Sequence, residues 1–202
     1  MKHATSRELY DYWNRIRGEE PAPRRSDIEP SDIRRILADT FILEVVDRER
    51  HLVRLAGTRV CTLYGREIKG AEFLDFWSED DRQAIATLAT AVCEDAAGAV
   101  VSATLSAARE RPLTCEFLLL PLRHGGPTYD RILGSCSVFE RPYWFGSQPI
   151  VDQRISSLRL LWPDERPRFM RPFPRQRTAM PPATHPSSRR HGHLFVLDGG
   201  KE

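Results

Sequence analysis

The sequence predicts an α+β domain, because two groups of strand-like segments are separated by short helices and by one long helix. A hairpin is predicted within Phe41–Ala56, where two runs rich in β-branched and aromatic residues flank the polar stretch Asp47–Arg50. Three further extended runs occupy Ala99–Ala107, Leu113–Leu122 and Tyr129–Phe139, and turn-forming residues separate them. The strands therefore fall into a group of two and a group of three.

The segment between these two groups is predicted to be helical. Glycines punctuate residues 57–70, which leaves room only for short helical turns. A longer helix is predicted to start at Ser78, because a serine followed by acidic residues suits a helix N-terminus, and Gly98 is expected to end it. Apolar residues recur along this helix at helical spacing, which gives it one apolar face.

An amphipathic helix is predicted near the N-terminus. It should begin at Thr5, where threonine and a glutamate three residues later form a capping box, and Gly18 can end it. Residues 1–38 are therefore assigned to an N-terminal helical extension, and residues 39–145 to the main domain. The apolar stripe of the helix consists of Leu9, Tyr12, Trp13 and Ile16.

The C-terminal segment, residues 146–202, differs in composition from the rest. More than half of the fifteen prolines follow Phe145, and residues 141–202 carry eleven Lys or Arg against five Asp or Glu. We expect a basic, proline-rich and solvated extension, with a strand at 193–197. The alternative is a tail that binds nucleic acid or an acidic partner, through Arg166, Arg168, Arg171, Arg175, Arg177, Arg189 and Arg190.

The composition predicts a cytoplasmic protein without a metal site. The longest apolar run, around Phe117–Leu120, is far shorter than the roughly 20 residues that cross a bilayer. The first residues lack the apolar core of a signal peptide. Four cysteines lie more than 20 positions apart with no CxxC pair, which favours reduced thiols over a metal site, and these are Cys61, Cys93, Cys115 and Cys136.

The order of these elements resembles a PAS domain, a five-stranded antiparallel sheet with helices over one face. Residues Gly65–Gly70 are similar to the G-x-E-[LI]-x-G segment of that family. Many PAS domains carry an asparagine where Gly57 and Thr58 stand, so Thr58 is expected to supply its helix cap. Five further segments resemble a PAS subfamily that is frequent in alphaproteobacteria. They are Arg35–Leu37, Phe41–Glu44, Arg54–Thr58, Phe73–Trp77 and His193–Gly200.

The resemblance implies a non-catalytic sensory or regulatory domain in bacterial signalling, which acts through ligand- or partner-dependent contacts with other signalling proteins. We expect no cofactor. A flavin-binding light sensor of this fold needs a cysteine within an Asn-Cys-Arg segment, which Arg59–Leu63 does not match. A haem-binding version usually takes a histidine on the long helix, and residues 79–97 contain none.

The cavity that this fold encloses between the sheet and the short helices is a candidate site for a small-molecule ligand. An arginine with aromatic neighbours suits a small anionic or planar molecule. The alternative is ordinary core packing for the aromatic residues and a surface position for the arginine. The predicted ligand-binding residues are Arg59, Tyr64, Phe73 and Trp77.

The N-terminal helix is expected to form a homodimer interface, because PAS domains use such helices to dimerise. The alternative is that Leu9, Tyr12, Trp13 and Ile16 fold back onto their own sheet and leave a monomer. An enzyme is the other rival hypothesis, with His124 and either Cys115 or Cys136 as a reactive pair. The sequence offers that pair no orienting third residue, so we expect no catalysis.

Overall fold

A six-stranded antiparallel sheet forms the centre of the protein, with the strand order β2-β1-β5-β4-β3-β6. The computed structural model describes residues 1–126, 129–162, 189–191 and 194–196. The sheet lies within a unit of residues 1–167. Its strands are β1 (Thr40–Val45), β2 (His51–Ala56), β3 (Gly98–Ala107), β4 (Leu113–Leu122), β5 (Arg131–Val138) and β6 (Ile150–Leu161).

The helices of this unit are α1 (Ala4–Arg17), α2 (Thr58–Leu63) and α3 (Glu79–Asp95), with short 3-10 helices at Arg25–Asp27, Leu37–Asp39 and Phe73–Phe76. Ser78 is the N-cap of α3, as predicted, and three acidic residues follow it in the first turn. The helix ends earlier than predicted. Ala96 takes the left-handed conformation at its C-terminus (φ 53°), and Gly98 is already the first residue of β3.

The α+β architecture and the five predicted strands are confirmed, and the sheet has a sixth strand in addition. This strand, β6, pairs with β3 along its whole length, from Gly98 opposite Leu161 to Ala107 opposite Ile150. It lies within residues 146–202, the segment assigned to the C-terminal extension. Most of its side chains are exposed or partly exposed. Its sequence therefore does not need the alternation of apolar and polar residues by which a strand with one buried face is recognised.

Both faces of the sheet are covered, whereas helices were predicted over one face only. The inner face packs against α2, α3 and the Phe73–Phe76 turn in one large apolar core. The outer face packs against α1 and the segment 19–39 in a second, smaller core. Leu118, Leu120 and Leu133 point outward from the central strands, and the second core forms because burying these apolar side chains away from water is favourable.

Helix α1 is held against the outer face at both ends. Its N-cap is His3, whose Nδ1 accepts a hydrogen bond from the Thr5 backbone N–H at 3.1 Å, so the helix begins two residues before the predicted capping box would place it. The buried carboxylate of Glu116 on β4 accepts hydrogen bonds from the backbone N–H groups of Lys2 (2.7 Å) and His3 (3.0 Å). Near the other end, the Trp13 indole N–H donates to the Pro121 carbonyl at 2.9 Å.

Residues 168–202 form a second unit. Strand β7 (Arg189–His191) pairs antiparallel with β8 (Leu194–Val196) in a two-stranded sheet of its own. Strand β8 falls within the predicted strand at 193–197, while His193 and Leu197 lie outside the described residues. Of the arginines assigned to a basic tail, Arg166, Arg168, Arg171, Arg175 and Arg177 also lie outside them.

Candidate functional site

The cavity between the inner sheet face and the short helices is nearly filled by aromatic rings. Phe41 stacks on Phe73 with ring centroids 5.6 Å apart, and the ring centroids of Trp77 and Phe117 are 5.3 Å apart. Among the described residues, the space beside these rings is a cavity of about 10 Å³. That volume holds about one water molecule. The residues that line it therefore do not fit a flavin or a haem.

Three of the four predicted ligand-binding residues belong to this packed core. Phe73 and Trp77 are buried in it. They therefore follow the alternative interpretation, in which these aromatic residues are ordinary core residues. Tyr64 is buried as well, and its hydroxyl donates a hydrogen bond of 2.7 Å to the Gln153 side-chain carbonyl on β6. Burial raises the pKa of the Tyr64 hydroxyl well above its usual value, so the group is neutral and serves as a hydrogen-bond donor.

Arg59, the fourth predicted residue, does not line the inner cavity. Its guanidinium binds the carboxylate of Asp39 through two nitrogens, with Nε 2.6 Å from Oδ1, and also donates to the Arg35 carbonyl at 3.3 Å. The hydrogen bond to Asp39 raises the pKa of Arg59 further. Because this pair joins α2 to the Leu37–Asp39 turn, Arg59 has a structural partner and is separated from the other three residues.

The residues predicted for a dimer interface contact their own sheet. Leu9 and Trp13 are completely buried in the outer core, and Tyr12 is 6% exposed with its hydroxyl accepting from the Glu29 backbone N–H at 2.7 Å. Ile16 packs against the same core at its edge. This is the alternative in which the helix covers its own sheet. Homodimer formation stays a prediction, and in this fold these side chains would not supply its apolar surface.

The reactive pair of the enzyme hypothesis is not assembled. Cys115 is buried near the Leu113 end of β4 and Cys136 is buried opposite Phe117 in the middle of that strand, whereas His124 follows the other end at Leu122. At about 3.3 Å per strand residue, Leu122 lies about 23 Å along the strand from Cys115 and about 17 Å from the position of Cys136. Burial also raises the pKa of the Cys115 thiol well above its usual value, which disfavours the nucleophilic thiolate.

The described residues contain no group of three or more His, Cys, Asp or Glu side chains placed to hold a metal ion. No helix among them is both long enough and apolar enough to cross a membrane.

A larger concavity lies on the opposite face of the sheet, and we call it the outer groove. It has a volume of about 490 Å³, which is within the range of about 300–1,000 Å³ typical of ligand pockets. Its floor consists of outward-facing residues of β1, β2 and β5, and one wall is the segment 25–38. The floor includes Ile42, Leu55 and Leu133, the wall includes Ile28, Ile33 and Leu37, and the rim carries Arg25 and Arg34.

The outer groove is apolar and incompletely covered. Leu37 is 40% exposed and Leu55 is 47% exposed, so a substantial apolar surface there faces solvent. Among the described residues that line it, two are basic and none is acidic. Sequence reasoning missed this site because its residues come from three separated stretches of chain. The one local signal was Leu55, an apolar residue in a short strand at the sheet edge.

A family model described as a PAS domain matches residues 1–137, which is more than half of the chain. The chain belongs to the PAS domain family. The predicted resemblance is thereby confirmed, and the match includes α1, the first four strands of the sheet and all of β5 except its last residue.

Two solved structures are similar to this PAS domain at low sequence identity. One is the crystal structure of a Rhodobacter sphaeroides LOV protein, which is 20% identical, with a TM-score of 0.41 over 57% of this chain and 71% of that one. The other is a variant of RsLOV, which is 16% identical, with a TM-score of 0.39 over 71% of this chain and 72% of that one. A search of curated proteins finds no match.

Proposed function

We propose that this PAS domain is a non-catalytic regulatory module that acts in bacterial signalling by changing its contacts with another protein. The observation that carries the proposal is the exposed apolar surface of the outer groove, at Leu37 and Leu55. Contiguous apolar surface on a water-exposed domain commonly marks a place where another molecule binds. The reactive groups named by the rival enzyme hypothesis are far apart, which leaves surface recognition as the better-supported mode of action.

The outer groove is the input of this module in our proposal. One wall of the groove is the segment 25–38, which joins α1 to β1 and is held at its end by the ion pair of Arg59 with Asp39. A molecule in the groove would contact this segment and the floor of the sheet together. It can shift the module only if it binds two arrangements of that segment with unequal affinity. The changed surface of the segment is then what the protein partner recognises.

The test is a reconstitution with purified proteins. Proteins captured with this chain from its native cell are identified by mass spectrometry, purified, and mixed with the chain in isothermal titration calorimetry. We expect at least one direct complex, weakened at least tenfold by Leu37→Asp at the groove. The control is Val151→Asp on β6, where the valine is 67% exposed and away from the groove. The proposal fails if no captured protein binds directly, or if both substitutions have equal effects.

A further inference from the structure

The rim of the outer groove carries two positive charges without partners. Within the described part of the chain, the guanidinium groups of Arg25 and Arg34 make no hydrogen bond or ion pair. Other arginines nearby are engaged, such as Arg59 with Asp39 and Arg123 with Glu20. An arginine pair that is free, and borders an apolar concavity with no acidic lining, suits an anion with an apolar body.

The lining of the groove indicates what kind of apolar group the anion should carry. Its inner surface is aliphatic, with isoleucine and leucine side chains on the floor and wall, and the one aromatic residue in its lining, Phe41, is 3% exposed. An extended aliphatic chain matches such a surface, whereas a planar ring system would find no exposed aromatic face on which to stack. The groove is partly open to solvent, so a chain can enter it with its charged end beside the arginines.

We propose that the outer groove binds a free alkyl carboxylate of medium or long chain, with the chain over Leu37 and Leu55 and the carboxylate at Arg25 and Arg34. This inference rests on the proposed function, since it names the chemical class of the input. A guanidinium binds a carboxylate through two parallel hydrogen bonds, and each buried methylene of the chain adds to affinity by leaving water.

The affinity should follow chain length. Isothermal titration calorimetry with octanoate, decanoate and dodecanoate, each below its micelle concentration, is expected to show saturable binding with one ligand per chain. Each added methylene that enters the groove should tighten binding about three- to fourfold. Decanol and decyltrimethylammonium are the matched probes, and both should bind at least tenfold more weakly than decanoate because they lack the negative charge.

Variants locate the site. The double substitution Arg25→Ala and Arg34→Ala should weaken decanoate binding about tenfold or more, and Leu55→Asp should abolish it. Arg35→Ala removes an exposed neighbouring arginine that does not line the groove, and Val151→Asp places a charge on another strand. Both controls should leave binding unchanged. Melting followed by circular dichroism checks that each variant is folded, and Leu37→Asp replaces Leu55→Asp if the latter is not.

Several results would overturn the inference. They are the absence of saturable decanoate binding, equal binding of the ammonium probe, unchanged binding in the folded groove variants, and binding to anionic phospholipid vesicles without binding to free decanoate. The proposed function is judged separately by its protein complex. A direct protein complex without carboxylate binding rejects only the ligand, and carboxylate binding without any direct protein partner rejects only the regulatory role.

Discussion

Tyr64, at the end of α2, donates a hydrogen bond to Gln153 on β6 inside the inner core, where Gln153 is completely buried. Removing the hydroxyl with Tyr64→Phe leaves the Gln153 carboxamide oxygen without that donor. We expect a loss of about 1–3 kcal/mol in the free energy of unfolding, measured by urea denaturation. Tyr143→Phe is the control, because Tyr143 is 92% exposed and its hydroxyl makes exposed hydrogen bonds to the side chain of Glu110.

A double variant tests whether this hydrogen bond is the cause. When Gln153→Leu is combined with Tyr64→Phe, both polar partners are replaced by apolar groups, and part of the lost stability should return. Simple addition of the two single losses would show that the residues act independently.

Glu116 anchors the start of α1 through its hydrogen bonds to the backbone of Lys2 and His3. Burial raises the pKa of the Glu116 carboxyl, but the hydrogen bonds that it accepts and the positive charge of the N-terminus together outweigh burial, and the net pKa is lowered. Glu116→Gln should cost about 1–3 kcal/mol at neutral pH and speed hydrogen exchange in the first turns of α1. The control Glu8→Gln, on an exposed position of the same helix, should change stability by less than about 0.5 kcal/mol.

The Glu116 carboxylate also makes the free energy of unfolding depend on pH in the acidic range. Because its folded pKa lies below the unfolded value, the Glu116 contribution is fully present above the unfolded pKa and is lost as the pH falls through the folded pKa. Unfolding measured between pH 3 and pH 6 should be less pH-dependent in Glu116→Gln than in the wild type. Equal pH dependence of the two proteins would contradict this account.

Gly134 on β5 lies directly opposite Phe41 on β1, and the phenyl ring covers the position that a Cβ atom would occupy. Gly134→Ala should therefore destabilise the domain by about 1–3 kcal/mol, because the ring must leave its place in a packed core. Gly125→Ala is the control, since nothing lies within 4 Å of a Cβ at that position. If the clash is the reason, Phe41→Leu combined with Gly134→Ala costs less than the sum of the two.

His51 is completely buried, and neither ring nitrogen has a hydrogen-bond partner among the described residues. Burial lowers its pKa, against the opposing charges of Glu72 and Asp47. The folded state thus resists protonation, so stability is full above the unfolded pKa of about 6.5 and falls as the pH drops through the folded pKa. His51→Leu should flatten stability between pH 5 and pH 6.5, while His124→Gln, at an exposed position, should not.

Much of the fold was predictable from local patterns. The strands β1 to β5 and the start of α3 follow from β-branched runs, turn residues and a serine cap, which act over a few residues. Strand β6 was not predictable in this way. It is an edge strand whose conformation depends on pairing with β3, and long-range pairing leaves little trace in a mostly polar sequence.

The candidate site was less predictable than the fold. The stripe of α1 was recognised, but the stripe alone could not distinguish a partner chain from the outward-facing leucines of β4 and β5. The four residues predicted to bind a ligand share a stretch of sequence, yet Arg59 faces Asp39 while the aromatic residues face the core. Which side chains meet is decided by the direction in which each one leaves the backbone, and residues that are close in sequence can point to different places.

The tightness of the inner core limits how this domain can change state. The cavity among the rings of Phe41, Phe73 and Phe117 has a volume of about 10 Å³, which leaves little free space beside them. A change of rotamer there would require neighbouring residues to move as well. In the regulatory module that we propose, a transition would therefore displace whole elements, with the connector between α1 and β1 as the hinge.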